Sequence, residues 1–263
     1  MSEGTAGQAM HGDRPRVALF VTCLADLFRP SVAFASLDLL QRCGCEVVIP
    51  PQQTCCGQPA YNSGDYGASR TLAKKVIAML ADADYVVLPS GSCAGMISHH
   101  YPRLLEGEWR DRALAVAERT WELTTFLDEI APARPEPLTA ALDGPVAYHD
   151  GCAGLRELDI REQPRNLLRS VCGADIRELP QRDVCCGFGG TFCAKMPAIS
   201  AKMADDKLAD ALGTGATLLT GGDLGCLLSL AGRARREGID VEVRHVAELL
   251  NGDLQAPAIG ETD

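Results

Sequence analysis

The sequence predicts an α/β protein of two pseudo-symmetric lobes, each a small, mostly parallel sheet flanked by helices. Three observations support this prediction. The chain of 263 residues repeats one order of motifs twice, short β-branched runs alternate with segments of helical periodicity, and cysteines follow the predicted strands. Alternation of strands and helices is typical of parallel strands joined by crossover helices.

The duplication is visible in short motifs that recur in the same order. The first copy passes from VALFVTC through CCGQP to YVVLPSGSC, and the second from VAYHDGC through CCGFGG to TLLTGGDLGC. In the first copy, 31 residues separate the leading cysteine from the Cys-Cys-Gly triplet and 35 separate the triplet from the final cysteine. In the second copy, the two intervals are 32 and 38 residues. The spacings are measured from the leading to the final cysteine of each copy: Cys23, Cys55-Cys56-Gly57 and Cys93, then Cys152, Cys185-Cys186-Gly187 and Cys226.

Each copy contains three predicted strands and two predicted helices before its closing segment. The apolar and β-branched runs predict strands, and apolar residues at helical spacing predict helices. The strands are Arg16–Val21, Glu46–Ile49, Tyr85–Leu88, Val146–His149, Asp175–Leu179 and Thr217–Thr220; the helices are Val32–Arg42, Gly67–Ala81, Arg161–Val171 and Ile199–Leu212.

The lobe boundaries follow from the repeat and from one segment rich in Pro and Ala. We expect a first lobe at residues 14–131, a linker at 132–145 and a second lobe at 146–251, because Pro removes helix donors and favours extended backbone. Residues 1–13 and 252–263 are expected to be flexible termini. The similar segments TWELTTFLDEI and RHVAELLNG are each predicted to be a closing helix.

Composition excludes several classes of function. The formal net charge of −10 argues against general binding to nucleic acid, and the apolar runs are too short to cross a bilayer, so no direct membrane insertion is expected. The first residues lack the apolar core of a secretory signal, which predicts a cytoplasmic protein. Because the cytosol disfavours structural disulfides, the twelve cysteines indicate metal binding or redox chemistry.

The cysteines of each copy are predicted to form one site. Since carboxyl ends of parallel strands share one edge of a sheet, cysteines far apart in sequence should converge there. Four thiolates suit an iron–sulfur cluster or zinc, and the wide spacing favours the cluster over the short knuckles of structural zinc. The predicted ligands are Cys23, Cys55, Cys56 and Cys93 for the first site, and Cys152, Cys185, Cys186 and Cys226 for the second.

The two triplets and their flanking cysteines carry a family resemblance. They resemble the duplicated cysteine-rich CCG domain that occurs in heterodisulfide reductase, in the iron–sulfur component of glycolate oxidase and in the lactate utilisation proteins. The segments SGSC, YHDGC and CCGFGGTF are most similar to the lactate utilisation protein A family. The resemblance implies an electron-transfer component in oxidation of L-lactate to pyruvate, active with companion proteins, one of which carries ferredoxin-type clusters.

One departure from the heterodisulfide reductase pattern limits the cluster type. Where that pattern has a fifth cysteine in each copy, this chain has Ser90 and Asp223. The non-cubane clusters of that relative are therefore not expected, and four cysteines per lobe remain enough for a [4Fe–4S] cluster, one or two per chain. Ser90 and Asp223 are open to two interpretations, as helix caps or as groups that contact the cluster.

The remaining cysteines and histidines give weaker indications. Buried core positions are expected for Cys43, Cys45 and Cys172, whereas Cys193 could approach the second site. His149 is either a proton carrier or hydrogen-bond donor near the second cluster or a structural residue. His99 and His100 are expected at the surface, and His245 as a cap or packing residue.

Two other functions remain open from the sequence. One is a metal-free thiol–disulfide oxidoreductase that uses the Cys-Cys pairs, and the other is a zinc-stabilised interaction scaffold. The chain has no flavin or nicotinamide fingerprint and no convincing pair of nucleophile and base, so no catalytic residue is assigned.

Overall fold

Two four-stranded, wholly parallel sheets form the frame of the protein, which confirms the predicted fold class. The computed structural model describes residues 14–261. The strand orders are β2-β1-β3-β4 and β6-β5-β7-β8. The strands are β1 (Arg16–Leu19), β2 (Glu46–Val48), β3 (Tyr85–Leu88), β4 (Thr120–Glu122), β5 (Pro145–His149), β6 (Asp175–Arg177), β7 (Leu218–Gly221) and β8 (Glu242–His245).

The register of the first three strands is the same in both sheets. Val17 of β1 pairs with Val47 and Tyr85. The equivalent Val146 of β5 pairs with Ile176 and Leu218. The sequence repeat is therefore a structural repeat in which equivalent residues hold equivalent places.

Helices at the four predicted positions, together with others that the periodicity did not predict, flank the sheets. They are α1 (Cys23–Phe28), α2 (Pro30–Arg42), α3 (Gln58–Asn62), α4 (Tyr66–Met79), α5 (Gly91–Gly95), α6 (Tyr101–Leu104), α7 (Glu108–Ala117), α8 (Leu123–Thr125), α9 (Cys152–Glu157), α10 (Gln163–Cys172), α11 (Phe192–Lys195), α12 (Pro197–Leu212), α13 (Leu224–Glu237) and α14 (Val246–Asn251). Two π-helical turns, Met96–His100 and Phe126–Ile130, continue α5 and α8. Within residues 14–261 we find no helix with the length and apolar character needed to cross a membrane.

The closing segment of each copy differs from its prediction. Both were predicted as helix alone, but the first residues of each form a fourth strand, β4 or β8, that pairs in parallel with the third strand. The strand residues are too few to interrupt the helical periodicity that follows them. Glu122 and His245 end these strands and accept hydrogen bonds from the first amides of α8 and α14, so each acts as an N-cap.

The two lobes interlock through their closing helices. Helix α14 of the second lobe packs on α2 of the first, and one buried core contains residues of both lobes. Glu248 of α14 accepts hydrogen bonds from Arg29 Nε at 2.7 Å and Ser31 Oγ at 2.6 Å. The carboxyl edges of the two sheets are thereby held against each other, and Ser90 and Asp223 form an isolated bridge between them.

The segments outside the predicted lobes also make backbone contacts. In the predicted linker, the Leu138 N–H donates to the Val171 carbonyl at 2.8 Å. In the predicted C-terminal tail, the Ile259 N–H donates to the Val243 carbonyl of β8 at 2.8 Å. Residues 1–13 and 262–263, which belong to the predicted flexible termini, lie outside the described residues.

Candidate metal centres

The eight predicted ligands are grouped four by four, each set around its own cavity. Cys23 and Cys152 begin the helices after the first strands, the triplets follow the second strands, and Cys93 and Cys226 lie in the helices after the third strands. The first cavity has a volume of about 210 Å³ and is lined by Cys23, Cys55, Cys56 and Cys93. The second has a volume of about 280 Å³ and is lined by Cys152, Cys185, Cys186 and Cys226.

The glycine of each triplet turns the backbone around the site. Gly57 has a φ of 88° and Gly187 a φ of 86°, a region that favours glycine. In this conformation the Gly57 N–H points back at the Cys55 sulfur at 3.4 Å, and the Gly187 N–H points at the Cys185 sulfur at 3.4 Å. Both triplets therefore turn the backbone sharply beside their first cysteine.

The thiols of each site are close enough to share protons. The Sγ atoms of Cys56 and Cys93 are 3.4 Å apart. Hydrogen bonds from Cys23 and Cys56 lower the pKa of Cys55 to about 3, and hydrogen bonding to Cys55 together with burial raises the pKa of Cys56 well above its usual value. Hydrogen bonds from Cys152 and Cys186 lower the pKa of Cys185 in the same way, to about 2. Each site therefore favours one thiolate first, and a bound cation would release the remaining protons.

The residues at the places of the missing fifth cysteines contact each other across the lobe boundary. Ser90 caps α5, since its Oγ accepts from the Cys93 N–H at 3.3 Å. Asp223 does not cap its own helix, because its carboxylate accepts from Ser90 Oγ at 3.1 Å, Ser92 Oγ at 2.9 Å and the Ser92 N–H at 2.9 Å. The cap interpretation is thus right for Ser90 and wrong for Asp223, a second-lobe residue that supports the first-lobe helix carrying Cys93.

His149 lies at the second site. It ends β5, is 1% exposed, and has ligand atoms of Cys186 and Cys226 within 4.8 Å of its own. Burial, with a contribution from the Lys207 charge, lowers its pKa to about 4. His149 therefore has a neutral imidazole and lies next to the cysteines of the second lobe.

Some residues around the second cavity were not predicted from the sequence. His100, expected at the surface, is instead half-buried, lines this cavity although it belongs to the first lobe, and lies 3.2 Å from a carboxylate oxygen of Glu157. Phe188, from the CCGFGG loop, lines both cavities. Phe188 could have been found from its place in the CCGFGG motif. The position of His100 could not, because it depends on how the two lobes pack.

Buried charges distinguish the second lobe from the first. Lys207 is 2% exposed and donates to the Gln181 carbonyl at 2.6 Å, whereas the equivalent residue of the first lobe is the buried Val76. Arg165 forms a two-bond ion pair with Asp150, both bonds being 2.9 Å long. Because the buried residue is Val76 in the first lobe and Lys207 in the second, the two sites lie in different electrostatic surroundings.

The other four cysteines are outside both sets. Cys43, Cys45 and Cys172 are buried in the shared core, as expected, and burial raises their pKa values to about 11, 11 and 12. Cys193 donates to the Gly190 carbonyl at 3.3 Å and lines a different cavity of about 270 Å³. The structure therefore does not bring Cys193 to the second site.

The donor set fits a metal centre better than a disulfide framework. All twelve cysteines are free. Four soft sulfur donors around one cavity select zinc, copper(I) or iron–sulfur clusters rather than hard oxygen-seeking cations. The residues present therefore provide four thiol groups in each lobe that could bind a zinc ion or an iron–sulfur cluster.

Comparison with known proteins agrees with this geometry. The model of the CCG cysteine-rich domain matches residues 17–98 and again residues 146–231. A protein of Bacillus cereus (strain AH820) named lactate utilization protein A 2 is 44% identical over 237 residues, covering 89% of this chain and 97% of its own. Proteins named lactate utilization protein A from Halalkalibacterium halodurans and Bacillus thuringiensis (strain Al Hakam) are each 45% identical over 238 residues, covering 90% of this chain and 96% and 98% of their own. With both cysteine sets in place and relatives matched over nearly their whole length, this chain belongs to the CCG cysteine-rich domain family, in the group of lactate utilisation protein A.

Proposed function

We propose that the chain is an iron–sulfur electron-transfer component of an assembly that oxidises L-lactate. The observation that carries the proposal is that all four cysteines of each copy line a single cavity at the carboxyl edge of one sheet. The substrate class comes from the name of relatives 45% identical over nine tenths of this chain.

The cysteines would hold one [4Fe–4S] cluster in each lobe. A bound cluster of this type supplies one-electron transfer. The chain itself supplies the thiolates and two amide donors, the N–H groups of Gly57 and Gly187, which favour negative charge on Cys55 and Cys185. The first-lobe and second-lobe sites share the lining residues Phe188 and Asp223, so the two centres would be near neighbours.

Removal of hydride or protons from lactate would take place on a companion protein. The sequence contains no flavin or nicotinamide fingerprint, so the cofactor for hydride chemistry is assigned to another protein. The expected companions are other lactate-utilisation proteins, one of them with ferredoxin-type clusters. The chain would then accept or pass on electrons and would be inactive towards lactate alone.

The substrate assignment is testable with the chain in its native complex. A tagged copy is isolated anaerobically from its own cells together with the proteins that bind it, and L-lactate or glycolate is added while the EPR signal of reduced clusters is followed. We expect L-lactate to reduce the clusters of the complex but not those of the chain purified alone. Reduction by dithionite without reduction by L-lactate would refute the substrate, and preparations without iron and sulfide would refute the cluster.

A matched pair of variants assigns the signal to this chain. Cys185→Ser removes a predicted ligand, whereas Cys45→Ser changes a core thiol that is 2% exposed and belongs to neither set. The L-lactate-dependent signal should weaken in Cys185→Ser and persist in Cys45→Ser. Equal signals in the two variants would mean that the reduced clusters belong to a companion protein.

A further inference from the structure

We propose that His149 is a nitrogen donor to the metal centre of the second lobe, so that the two centres of this duplicated chain are chemically different. The inference rests on the proposed function, because it takes the cysteine sets to hold iron–sulfur clusters. It goes beyond that function in placing the His149 nitrogen on one iron of the second cluster in place of one of the four thiolates, while the first site keeps its four cysteines.

The first observation is that His149 is buried without a partner. Its side chain is 1% exposed, and among residues 14–261 neither ring nitrogen has a hydrogen-bond partner. A buried polar atom that lacks a partner costs about 1–3 kcal/mol, and native structures rarely leave one unexplained. A neutral imidazole has one lone pair to donate, so a metal at this point would satisfy it.

The second observation is where the imidazole lies. One His149 nitrogen and the Sγ atoms of Cys186 and Cys226 all lie within 4.8 Å of one another. These three atoms come from the end of β5, the triplet and α13, which are three separate segments of the chain. Convergence of nitrogen and sulfur donors from separate segments is what a metal ligand set requires, and imidazole suits iron as well as zinc.

The third observation is that the first lobe lacks this group. The equivalent of His149 is Phe20, which is 0% exposed and packs in an apolar cluster with Cys56. On the neighbouring strand of the second lobe, the residue paired with His149 is Gly221. A Cβ added at Gly221 would lie 2.8 Å from the His149 carbonyl oxygen, so the close approach of the two strands here depends on glycine. The two copies have therefore diverged at the position beside the cysteines of the second site.

The chemical consequence is a difference in reduction potential. An imidazole nitrogen is neutral where a thiolate is negative, and nitrogen ligation raises the potential of iron–sulfur centres. The second centre should therefore be the easier of the two to reduce. Electrons would then pass from the first lobe to the second.

Pulsed EPR with isotope-labelled histidine tests the ligation without relying on lactate oxidation. The sample is the Cys55→Ser variant, which should retain only the second centre, grown with ¹⁴N- or ¹⁵N-histidine and reduced with dithionite. We expect a strong nitrogen coupling that changes with the label. The converse variant, Cys185→Ser, should retain only the first centre and show no coupling that depends on the histidine label.

The substitution His149→Phe, which copies the first lobe, completes the test. Added to Cys55→Ser, it should abolish the nitrogen coupling and lower the midpoint potential of the remaining centre. A second centre with iron and sulfide but no histidine-dependent coupling would overturn this inference alone, as would a coupling that persists in His149→Phe. The labelled wild-type residue decides the question even if His149→Phe does not fold, and protein without iron or sulfide would overturn the proposed function and this inference together.

Discussion

Substitution of Asp223 should damage the first site, although this residue belongs to the second lobe. The Asp223 carboxylate accepts three hydrogen bonds of 2.9–3.1 Å, all from Ser90 and Ser92 beside Cys93. At about 1–1.5 kcal/mol net for each bond, their loss in Asp223→Ala is worth about 3–4.5 kcal/mol. Burial raises the pKa of Asp223, which means that desolvation offsets part of this gain. We therefore expect the free energy of unfolding to fall by about 2–3 kcal/mol.

Urea unfolding of the metal-free protein measures this loss, and a double-mutant cycle with Ser92→Ala isolates the contact. Asp223→Asn should cost less, about 1–2 kcal/mol, because its amide keeps one acceptor oxygen but cannot accept from the Ser92 N–H. The site affected is found from iron content in single-site backgrounds. Asp223→Ala should lower the iron bound in Cys185→Ser, which retains the first site, and spare the iron bound in Cys55→Ser. The opposite pattern would show that Asp223 serves the second site and would refute this reasoning.

Three further predictions follow from individual contacts. Cys55→Ser should halve the iron content, whereas Cys45→Ser should leave it unchanged because Cys45 is a buried core thiol; iron loss in Cys45→Ser would show that the ligand set is wrong. Gly225→Ala should disturb the second site, because the added Cβ would lie 2.3 Å from the Phe188 ring. We expect a cost of about 1–3 kcal/mol, measured by thermal unfolding. The control Gly232→Ala lies in the same helix and should be tolerated, because a Cβ added there has no atom within 4 Å. Burial lowers the pKa of His245 from about 6.5 to about 4, so the unfolded chain binds more protons than the folded protein between these pH values. The free energy of unfolding should therefore fall by about 3 kcal/mol as the pH drops from 6.5 to 4. His245→Asn keeps an N-cap that does not titrate in this range and should flatten this dependence; an unchanged slope in urea titrations would contradict the assignment.

Much of the fold was predictable because local patterns and tertiary structure agree. The runs at β1, β3 and β5 are β-branched and apolar, and the structure buries them at the centres of the two sheets. The fourth strand was missed because Thr120–Glu122 is short and continues directly into α8, so the helical periodicity after it dominated the prediction. A three-residue parallel strand is specified by its partner in the sheet more than by its own sequence.

The cysteine sets were predictable for a topological reason, whereas their surroundings were not. The carboxyl ends of adjacent parallel strands must share an edge, so a cysteine after each strand specifies a site. The contact between Asp223 and Ser92 spans 131 residues and two repeats, and no local pattern contains it. His100 and Lys207 reach the second site or its supporting loop only because particular helices pack where they do. Sequence repeats predict what the two lobes share, and the structure shows where they differ.

The most direct test of the central claim is the metal and sulfide content of the protein purified without oxygen. Iron, zinc and acid-labile sulfide are measured in the wild type, in Cys55→Ser, in Cys185→Ser and in the double variant, with EPR of each after reduction. The two four-cysteine sites predict equal amounts of iron and sulfide in the wild type, about half in each single variant and none in the double variant. Zinc without sulfide, metal-free thiols, or iron that persists in the double variant would contradict the assignment of the two sites.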